Sequence, residues 1–219
     1  LIGEQLNPNP IIKKLKIIKN SRSKKLINAA KAIMTTDTYS KIAYESVKIK
    51  GNKIRIYGIA KGSGMIAPNM GTMLSYIFIE ASLSNKSLYK LLKDNISDTF
   101  NSISVDGDTS TNDTVMLFSV GGIELGNIKK NTRIFRLISI SLKKVMSQLA
   151  KQIVCDGEGI SKLIEVNISN AKSKIQAKKI AFAIAESMLV KTAIYGGDAN
   201  WGRIIMAIGK TSEKINQNK

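Results

Sequence analysis

The sequence predicts an α+β fold in which helices form a layer against a sheet. Segments with the two-residue period of strands and segments with the longer period of helices follow one another without regular βαβ alternation. The chain has 219 residues, 43% of them hydrophobic, which is enough to bury a sizeable core. The mixed order of elements therefore favours a layered α+β fold over a doubly wound one.

The first half of the chain predicts a helix followed by three strands. Apolar side chains recur at helical spacing within 22–34, and they alternate with polar ones on both sides of 50–53, which indicates a tight hairpin. The apolar run 73–79 predicts the third strand. The intervening segment 61–72 contains three Gly and one Pro, so we expect unusual backbone angles there.

The second half predicts helices and strands in turn. In chain order, the patterns indicate a helix at 86–100, a strand at 115–120, an amphipathic helix at 135–153, a strand at 164–168 and an alanine-rich helix at 171–189. The last motif is the segment 196–203. Its Trp201, beside Arg203, could be a stacking platform, but we expect a buried Trp with a satisfied indole N–H.

Composition excludes several kinds of chemistry. The chain has no His, which excludes Ser-His-Asp triads, Cys-His pairs and His-ligated metals, and its one Cys excludes Cys-rich zinc sites. We therefore expect no metal, a cytoplasmic location and, without a long apolar run, no membrane association. The net charge of +18 leaves open a basic nucleic-acid-binding module as an alternative, although only 5% of the residues are aromatic.

Two polar segments allow more than one interpretation. The turn 62–64 could cradle phosphate, but neither the Gly-x-Gly-x-x-Gly nor the Walker pattern is present. Asp106, Asp108 and Asp113 could suggest a calcium loop, but their spacing lacks the Gly and the closing Glu of an EF-hand. We therefore expect these carboxylates to cap backbone amides.

Thr72 is the candidate nucleophile. A Thr hydroxyl is weakly nucleophilic, but a free α-amine on the same residue can serve as its base. In a chain without His, a cut before Thr72 would supply that amine, and the small Gly71 would let the hydroxyl reach the preceding carbonyl. A Gly-Thr pair is common, so this hypothesis needs independent support.

Five collinear motifs supply that support. They are AIMTTDT at 32–38, KGSGMIAPNM at 61–70 followed by TML at 72–74, VDGDTSTNDT at 105–114, DGEG at 156–159 and GDANWGR at 197–203. Together they resemble the bifunctional ornithine acetyltransferases (glutamate N-acetyltransferases) of arginine biosynthesis. The resemblance runs from Leu1 to about Lys210.

The resemblance implies a fold of the ornithine acetyltransferase type, similar to the self-cleaving enzymes with an N-terminal nucleophile. The precursor would cleave itself between Gly71 and Thr72, so that 1–71 ends an α chain and Thr72, the catalytic residue, begins the β chain. The family usually has Ala where this chain has Gly71. Acetyl would then pass from N-acetylornithine to Thr72 and on to glutamate in a ping-pong cycle.

The resemblance also assigns the substrate-binding residues Thr38, Lys61, Thr72 and Glu158. Lys61 and the Thr38 hydroxyl suit the substrate carboxylate, whereas Glu158 suits the ornithine ammonium and would repel the glutamate side chain unless protonated or bridged by water. The implied partners are N-acetylornithine, glutamate and a dimer of αβ units, with nucleic acid disfavoured. No cofactor is implied, and the use of acetyl-CoA as a second acetyl donor stays open.

The match divides the chain into a catalytic region at 1–160 and the start of an incomplete C-terminal region at 161–219. The family's oxyanion-stabilising Thr-Gly pair would precede Leu1, and further pocket residues would follow Lys219. We therefore expect a central portion of a longer protein. Loss of an oxyanion donor costs about 10²- to 10³-fold in rate, so this portion by itself is expected to be weakly active or inactive.

Overall fold

The computed structural model describes residues 5–20, 25–64, 66, 73–108 and 112–215. Within these ranges, a four-stranded sheet has the order β1-β2-β3-β4. The strands are β1 (Lys41–Ile49), β2 (Asn52–Lys61), β3 (Leu74–Leu83) and β4 (Thr114–Gly126). The pairs β1/β2 and β2/β3 are antiparallel, whereas β3 and β4 are parallel.

Helices precede, connect and follow these strands. They are α1 (Asn9–Asn20), α2 (Leu26–Ala32), α3 (Asn85–Ile96), α4 (Arg133–Val154), α5 (Lys174–Ala185), α6 (Met188–Tyr195) and α7 (Trp201–Gly209), with a short 3₁₀ turn at Phe100–Ser102. The crossover between the parallel strands runs through α3, as parallel pairing requires. Of the helices that the structure describes, none is both long and apolar enough to span a membrane.

The main core lies between one face of the sheet and α4. Alternation along the strands places Ile54 and Ile56 of β2 and Ile77 and Ile79 of β3 on the same face, where all four are fully buried. The facing side of α4 buries residues three or four positions apart: Phe135, Ile138, Leu142, Val145, Leu149 and Ile153. Sheet and helix thus form the two layers, which confirms the predicted α+β class.

The hairpin, the third strand and the strongest helix are also confirmed. Lys50 and Gly51 form the turn between β1 and β2, with φ angles of 49° and 79°. Two consecutive positive φ angles are typical of the type I′ turn that suits a two-residue hairpin loop. The helix predicted at 135–153 is α4, and Thr132 begins it by accepting a hydrogen bond from the Phe135 N–H.

A second, smaller cluster joins α5, α6 and α7. It consists of Ile180, Ile184, Val190 and Ala207, with Val166, Ile168, Ile194 and Ile208 packed around them. Lysines connect this cluster to the main layer: Lys178 Nζ donates to the Ser97 carbonyl (2.8 Å) and Lys191 Nζ to the Val105 carbonyl (2.9 Å). The division of the chain at residue 160 stays a prediction.

Three predictions for the last third were wrong. The alternating residues 164–168 form no strand, because no described strand pairs with them. Val166 and Ile168 instead pack against the α5–α7 cluster. The helix predicted at 171–189 is two helices, since the Ser187 hydroxyl caps a new one by accepting from the Val190 N–H. Trp201, which was expected to be buried, begins α7 and is 75% exposed.

Candidate active site

The strand register brings three chain segments to one edge of the sheet. Lys61, the last residue of β2, lies opposite Leu74 of β3, and Leu74 lies opposite Thr114 of β4. Gly71 and Thr72, the predicted cleavage and catalytic positions, lie outside the described residues. Met73, the residue that follows Thr72 in the chain, is described and directly precedes β3 at this edge.

Lys61 lies in a buried, polar setting at this edge. Its residue is 9% exposed, and its Nζ donates to the Thr35 hydroxyl at 3.3 Å. The carboxyl of Asp113, which precedes β4, is close enough for its charge to interact with Lys61. Burial raises the pKa of Asp113 to about 6, although the bond from the Met73 N–H and the charge of Lys61 both oppose that rise.

Thr38 is held by a carboxylate from the end of α4. The Thr38 N–H donates to Asp156 Oδ2 at 2.9 Å, and the Thr38 hydroxyl donates to the same carboxylate. A hydroxyl whose proton is engaged in this way can only accept a further hydrogen bond. In this arrangement Thr38 suits an N–H of a ligand better than a carboxylate.

Behind Thr38 lies a buried group of one cation and two anions. Lys41 Nζ contacts Asp37 Oδ1 and Asp156 Oδ2, each at 2.6 Å, and the side chains of the three residues are at most 3% exposed. Sequence reasoning did not identify this group as part of the site. Asp37 and Asp156 did lie within the quoted motifs, but Lys41 carried no signal, because a lysine at the start of a strand is ordinarily exposed.

Hydrogen bonds keep both carboxylates of this group ionised. Burial by itself would raise the pKa of Asp37, but bonds from the Gly62 N–H, Lys41 and the Thr35 N–H outweigh it and lower that pKa. Burial acts in the same direction on Asp156, where bonds from Lys41 and from Thr38 lower the pKa. The group therefore ties the loop before β1 to the end of β2 and to the end of α4.

Glu158 lies against the glycine-rich turn. Its N–H donates to the Ser63 carbonyl at 2.9 Å, and the Ser63 hydroxyl shares a hydrogen bond of 2.5 Å with the Thr36 hydroxyl. A Cβ atom on Gly64 would lie 2.9 Å from Glu158 Oε1, so the lack of a side chain at Gly64 leaves room for this carboxylate. The Glu158 residue is exposed.

The structure thus brings the segments carrying Thr38, Lys61 and Glu158 together. The Gly62 N–H donates to Asp37 Oδ1 at 2.7 Å, which places the residues next to Thr38 and Lys61 in direct contact. A cavity of about 460 Å³ adjoins the same edge and is lined by Met73 and Asp113 among mainly apolar side chains. A cavity of this size suits a small-molecule ligand.

The acidic loop caps backbone amides, as predicted, at two of its three carboxylates. Asp106 accepts from the N–H groups of Ile66 and Asp108, both at 3.0 Å, and Asp113 accepts from the Met73 N–H at 2.5 Å. In the part of the chain that the structure describes, no group of three or more acidic or Cys residues could hold a metal ion.

Several known proteins are similar to this chain in sequence. The arginine biosynthesis bifunctional protein ArgJ of Bradyrhizobium diazoefficiens is 47% identical over 195 residues, which cover 87% of this chain and 47% of the relative. The ArgJ of Bartonella henselae is 44% identical over 219 residues, covering 99% of this chain and 53% of the relative. The chain therefore spans about half the length of the curated relatives it matches.

The fold has a solved counterpart. The crystal structure of the arginine biosynthesis bifunctional protein ArgJ from Bacillus halodurans matches with a TM-score of 0.57 and 40% sequence identity, covering 67% of this chain and 68% of that one. The α+β architecture is thus shared with a protein named for arginine biosynthesis. The model of the ArgJ family matches residues 1–219. The chain belongs to the ArgJ family.

Proposed function

We propose that this chain is the central portion of an acetyltransferase that moves acetyl from N-acetylornithine to glutamate in arginine biosynthesis. Thr72 carries the acetyl group after the precursor has been cut between Gly71 and Thr72. Membership of the ArgJ family supports this function over the alternative of a basic nucleic-acid-binding module. A cytoplasmic location and assembly as a dimer of αβ units belong to the same proposal, and acetyl-CoA as a second donor stays a prediction.

The observation that carries the proposal is the register at the sheet edge. Lys61, the start of β3 and the start of β4 lie side by side, so a buried cation is adjacent to the chain segment that begins after Thr72. A buried lysine supplies a charge-assisted hydrogen bond to a carboxylate, which every substrate of the proposed reaction carries. This register supports the proposal that Lys61 binds the substrate carboxylate next to the chain segment that begins after Thr72.

The covalent steps use one hydroxyl twice. In the cut, Thr72 Oγ bonds to the Gly71 carbonyl carbon, its proton passes to the Thr72 nitrogen as the C–N bond breaks, and water then hydrolyses the resulting ester. In each cycle, the freed amine accepts the proton of Thr72 Oγ as the oxygen attacks the acetyl carbonyl. Ornithine leaves with that proton, and the glutamate amine then takes the acetyl group and returns a proton.

The first test replaces Thr72 in a full-length version of the protein. We expect Thr72→Ala to leave the precursor uncut and to abolish acetyl exchange, whereas Thr72→Ser keeps part of both because it retains a hydroxyl. Gel electrophoresis under denaturing conditions measures the cut, and exchange of acetyl between N-acetylornithine and glutamate measures turnover. Normal cleavage in the Ala variant would contradict the assignment.

A second test concerns the ornithine ammonium and Glu158. We expect Glu158→Gln to weaken N-acetylornithine binding by about 1.5 to 3 kcal/mol, the strength of one hydrogen bond to a charged group, and to affect glutamate less. Gly64→Ala should act in the same direction, because its new Cβ displaces the Glu158 carboxylate. Steady-state kinetics with both substrates measure the effect, and equal losses for the two would reject a discriminating role.

A further inference from the structure

The polar loop 105–114 holds the chain just before the segment that carries Gly71 and Thr72. The Val105 N–H donates to the Ile66 carbonyl at 2.7 Å, and the Asp106 carboxylate accepts from the Ile66 N–H at 3.0 Å. Both backbone groups of Ile66 are therefore engaged by neighbouring residues of one loop. Ile66 is only 2% exposed, so packing also limits its movement.

The other end of the same loop holds the chain just after that segment. The Thr114 N–H donates to the Met73 carbonyl at 3.1 Å, and the Asp113 carboxylate accepts from the Met73 N–H at 2.5 Å. Met73 is 5% exposed. Met73 therefore makes the same hydrogen bonds as Ile66: its N–H donates to a carboxylate, and its carbonyl accepts from a backbone N–H.

We propose that Val105–Asp106 and Asp113–Thr114 form a two-ended clamp on Ile66 and Met73, the described residues on either side of the proposed cleavage point. In this clamp Asp113 is a positioning residue that acts on Thr72 through the peptide bond between Thr72 and Met73. The spacing supports a matched pair, because Ile66 and Met73 are seven residues apart and so are Asp106 and Asp113. This inference rests on Thr72 being the nucleophile of the proposed function. It adds a role for the loop that contacts the chain on both sides of the proposed cleavage point.

Asp113 binds the backbone N–H of Met73, the residue bonded directly to Thr72. The nitrogen that Asp113 holds belongs to the peptide bond between Thr72 and Met73, so movement of that nitrogen moves the Thr72 backbone with it. Misplacement of a reacting group by about 1 Å can cost on the order of 10²-fold in rate. A carboxylate that fixes this peptide therefore affects both the cut and every later turnover.

The two ends of the clamp have different roles once the chain is cut. Ile66 then belongs to the α chain, whereas Met73 and the whole loop 105–114 belong to the β chain. The Asp106 end joins the α chain to the β chain, and the Asp113 end fixes the new β-chain terminus from within that chain. Asp113 is therefore expected to matter more for turnover than Asp106.

The test compares substitutions of three aspartates of one loop in the full-length protein. Asp113→Ala removes the acceptor, Asp113→Asn keeps a side-chain oxygen that can accept from the Met73 N–H, and Asp106→Ala removes the acceptor at the other end. Asp108→Ala is the matched control, since Asp108 is exposed in the same loop. The readouts are the rate of precursor cleavage, kcat and KM for acetyl exchange, and the melting temperature.

We expect Asp113→Ala to slow cleavage and to lower kcat of the cleaved protein about tenfold or more, with KM within about twofold. Asp113→Asn should recover most of the cleavage rate and most of kcat. Asp106→Ala should also slow cleavage, but it should lower kcat by less than Asp113→Ala does. Asp108→Ala should match the wild type. Equal kcat for Asp113→Ala and Asp108→Ala, or a loss in melting temperature alone, overturns the inference. A wild type without acetyl exchange rejects the proposed function, and the cleavage rates still test the clamp.

Discussion

Lys41 shows how a single buried cation can hold three segments together. Its ammonium lies 2.6 Å from a carboxylate oxygen of Asp37 and 2.6 Å from one of Asp156, residues that are 119 positions apart in the chain. Taking charges out of water is costly, and this cost is offset only where each charge is paired and hydrogen-bonded. Here the peptide N–H groups of Gly62 and Thr38 complete the pairing.

Removing this cation is expected to destabilise the protein strongly. Lys41→Met would leave two buried carboxylates without a counter-charge, which should lower the free energy of unfolding by about 3 to 5 kcal/mol. Lys48→Met, at an exposed position of the same strand, is the control and should change it by less than about 0.5 kcal/mol. Denaturant unfolding followed by circular dichroism measures both, and similar effects at the two positions would show that the buried pairing adds nothing.

The pKa values of the site give opposite dependences of stability on pH. Because the pKa of Asp37 and that of Asp156 lie below their ordinary value, the stability they contribute is complete above a pH of about 4 and is lost as the pH falls further. The pKa of Asp113 is raised to about 6, so its contribution is complete at acid pH and is lost as the pH rises through 6. These carboxyls therefore favour the folded state most in mildly acid solution.

At the scale of the elements, the β1–β2 hairpin carries an avoidable strain. Lys50 adopts a φ of 49°, a left-handed conformation that costs an L-residue with an ordinary side chain about 1 to 2 kcal/mol. The next turn residue, Gly51, has a φ of 79° and open space around it, so it meets no such cost. The strain is thus confined to one position of the turn.

Lys50→Asn should relieve part of that strain. Asn tolerates the left-handed region and precedes Gly in the preferred two-residue hairpin turn, so we expect the free energy of unfolding to rise by about 0.5 kcal/mol. The same substitution at Lys53, an exposed strand residue, should be neutral or slightly destabilising, because Asn is depleted in strands. Thermal unfolding of the two variants measures the difference, and a lower melting temperature for Lys50→Asn contradicts the explanation.

The sheet also carries an aromatic row on the face opposite α4. Tyr44, Tyr57, Phe78 and Phe118 lie directly opposite one another across the four strands. The rings of Phe78 stack with those of Tyr57 and Phe118, with centroids 5.5 and 5.3 Å apart. Such cross-strand pairs stabilise a sheet and pin its register, which in turn keeps Lys61 beside the start of β3.

For the whole molecule, the uneven distribution of buried side chains predicts uneven stability. Among the residues that the structure describes, 22 are buried in the cluster between the sheet and α4, whereas four are buried in the cluster of α5–α7. Segments with few buried apolar contacts open at lower free energy than the global unfolding transition. The last third of the chain should therefore open first.

Hydrogen exchange followed by mass spectrometry tests this expectation on the chain itself. We expect the amides of α5, α6 and α7 to exchange faster than those of β2, β3 and α4, because local opening of the small cluster leaves the main core intact. The surface helix α1, with Ile11 and Leu15 exposed, supplies a reference for rapid exchange. Equal protection of the two clusters would mean that they unfold as one unit.

Local sequence by itself determined the hairpin, the strands β3 and β4 and the helix α4. In each of these, the apolar period along the chain coincides with the face that is buried, so local pattern and tertiary packing agree. The order of the motifs also indicated the family and the segments that form the site. At 164–168 the two-residue period of apolar side chains predicted a strand that the structure does not contain. An alternating segment becomes a strand only where another strand is present to pair with it.

Tertiary structure alone decided the contacts between distant segments. Lys41 is a buried cation because the loop before β1 and the end of α4 each bring a carboxylate to it. The local sequence pattern around Lys41 does not predict these contacts. The two ends of the loop 105–114 reached Ile66 and Met73 for the same reason, at a separation of 40 residues. Periodicity reports which face of an element is buried, whereas the partner of each buried polar group depends on how the elements pack.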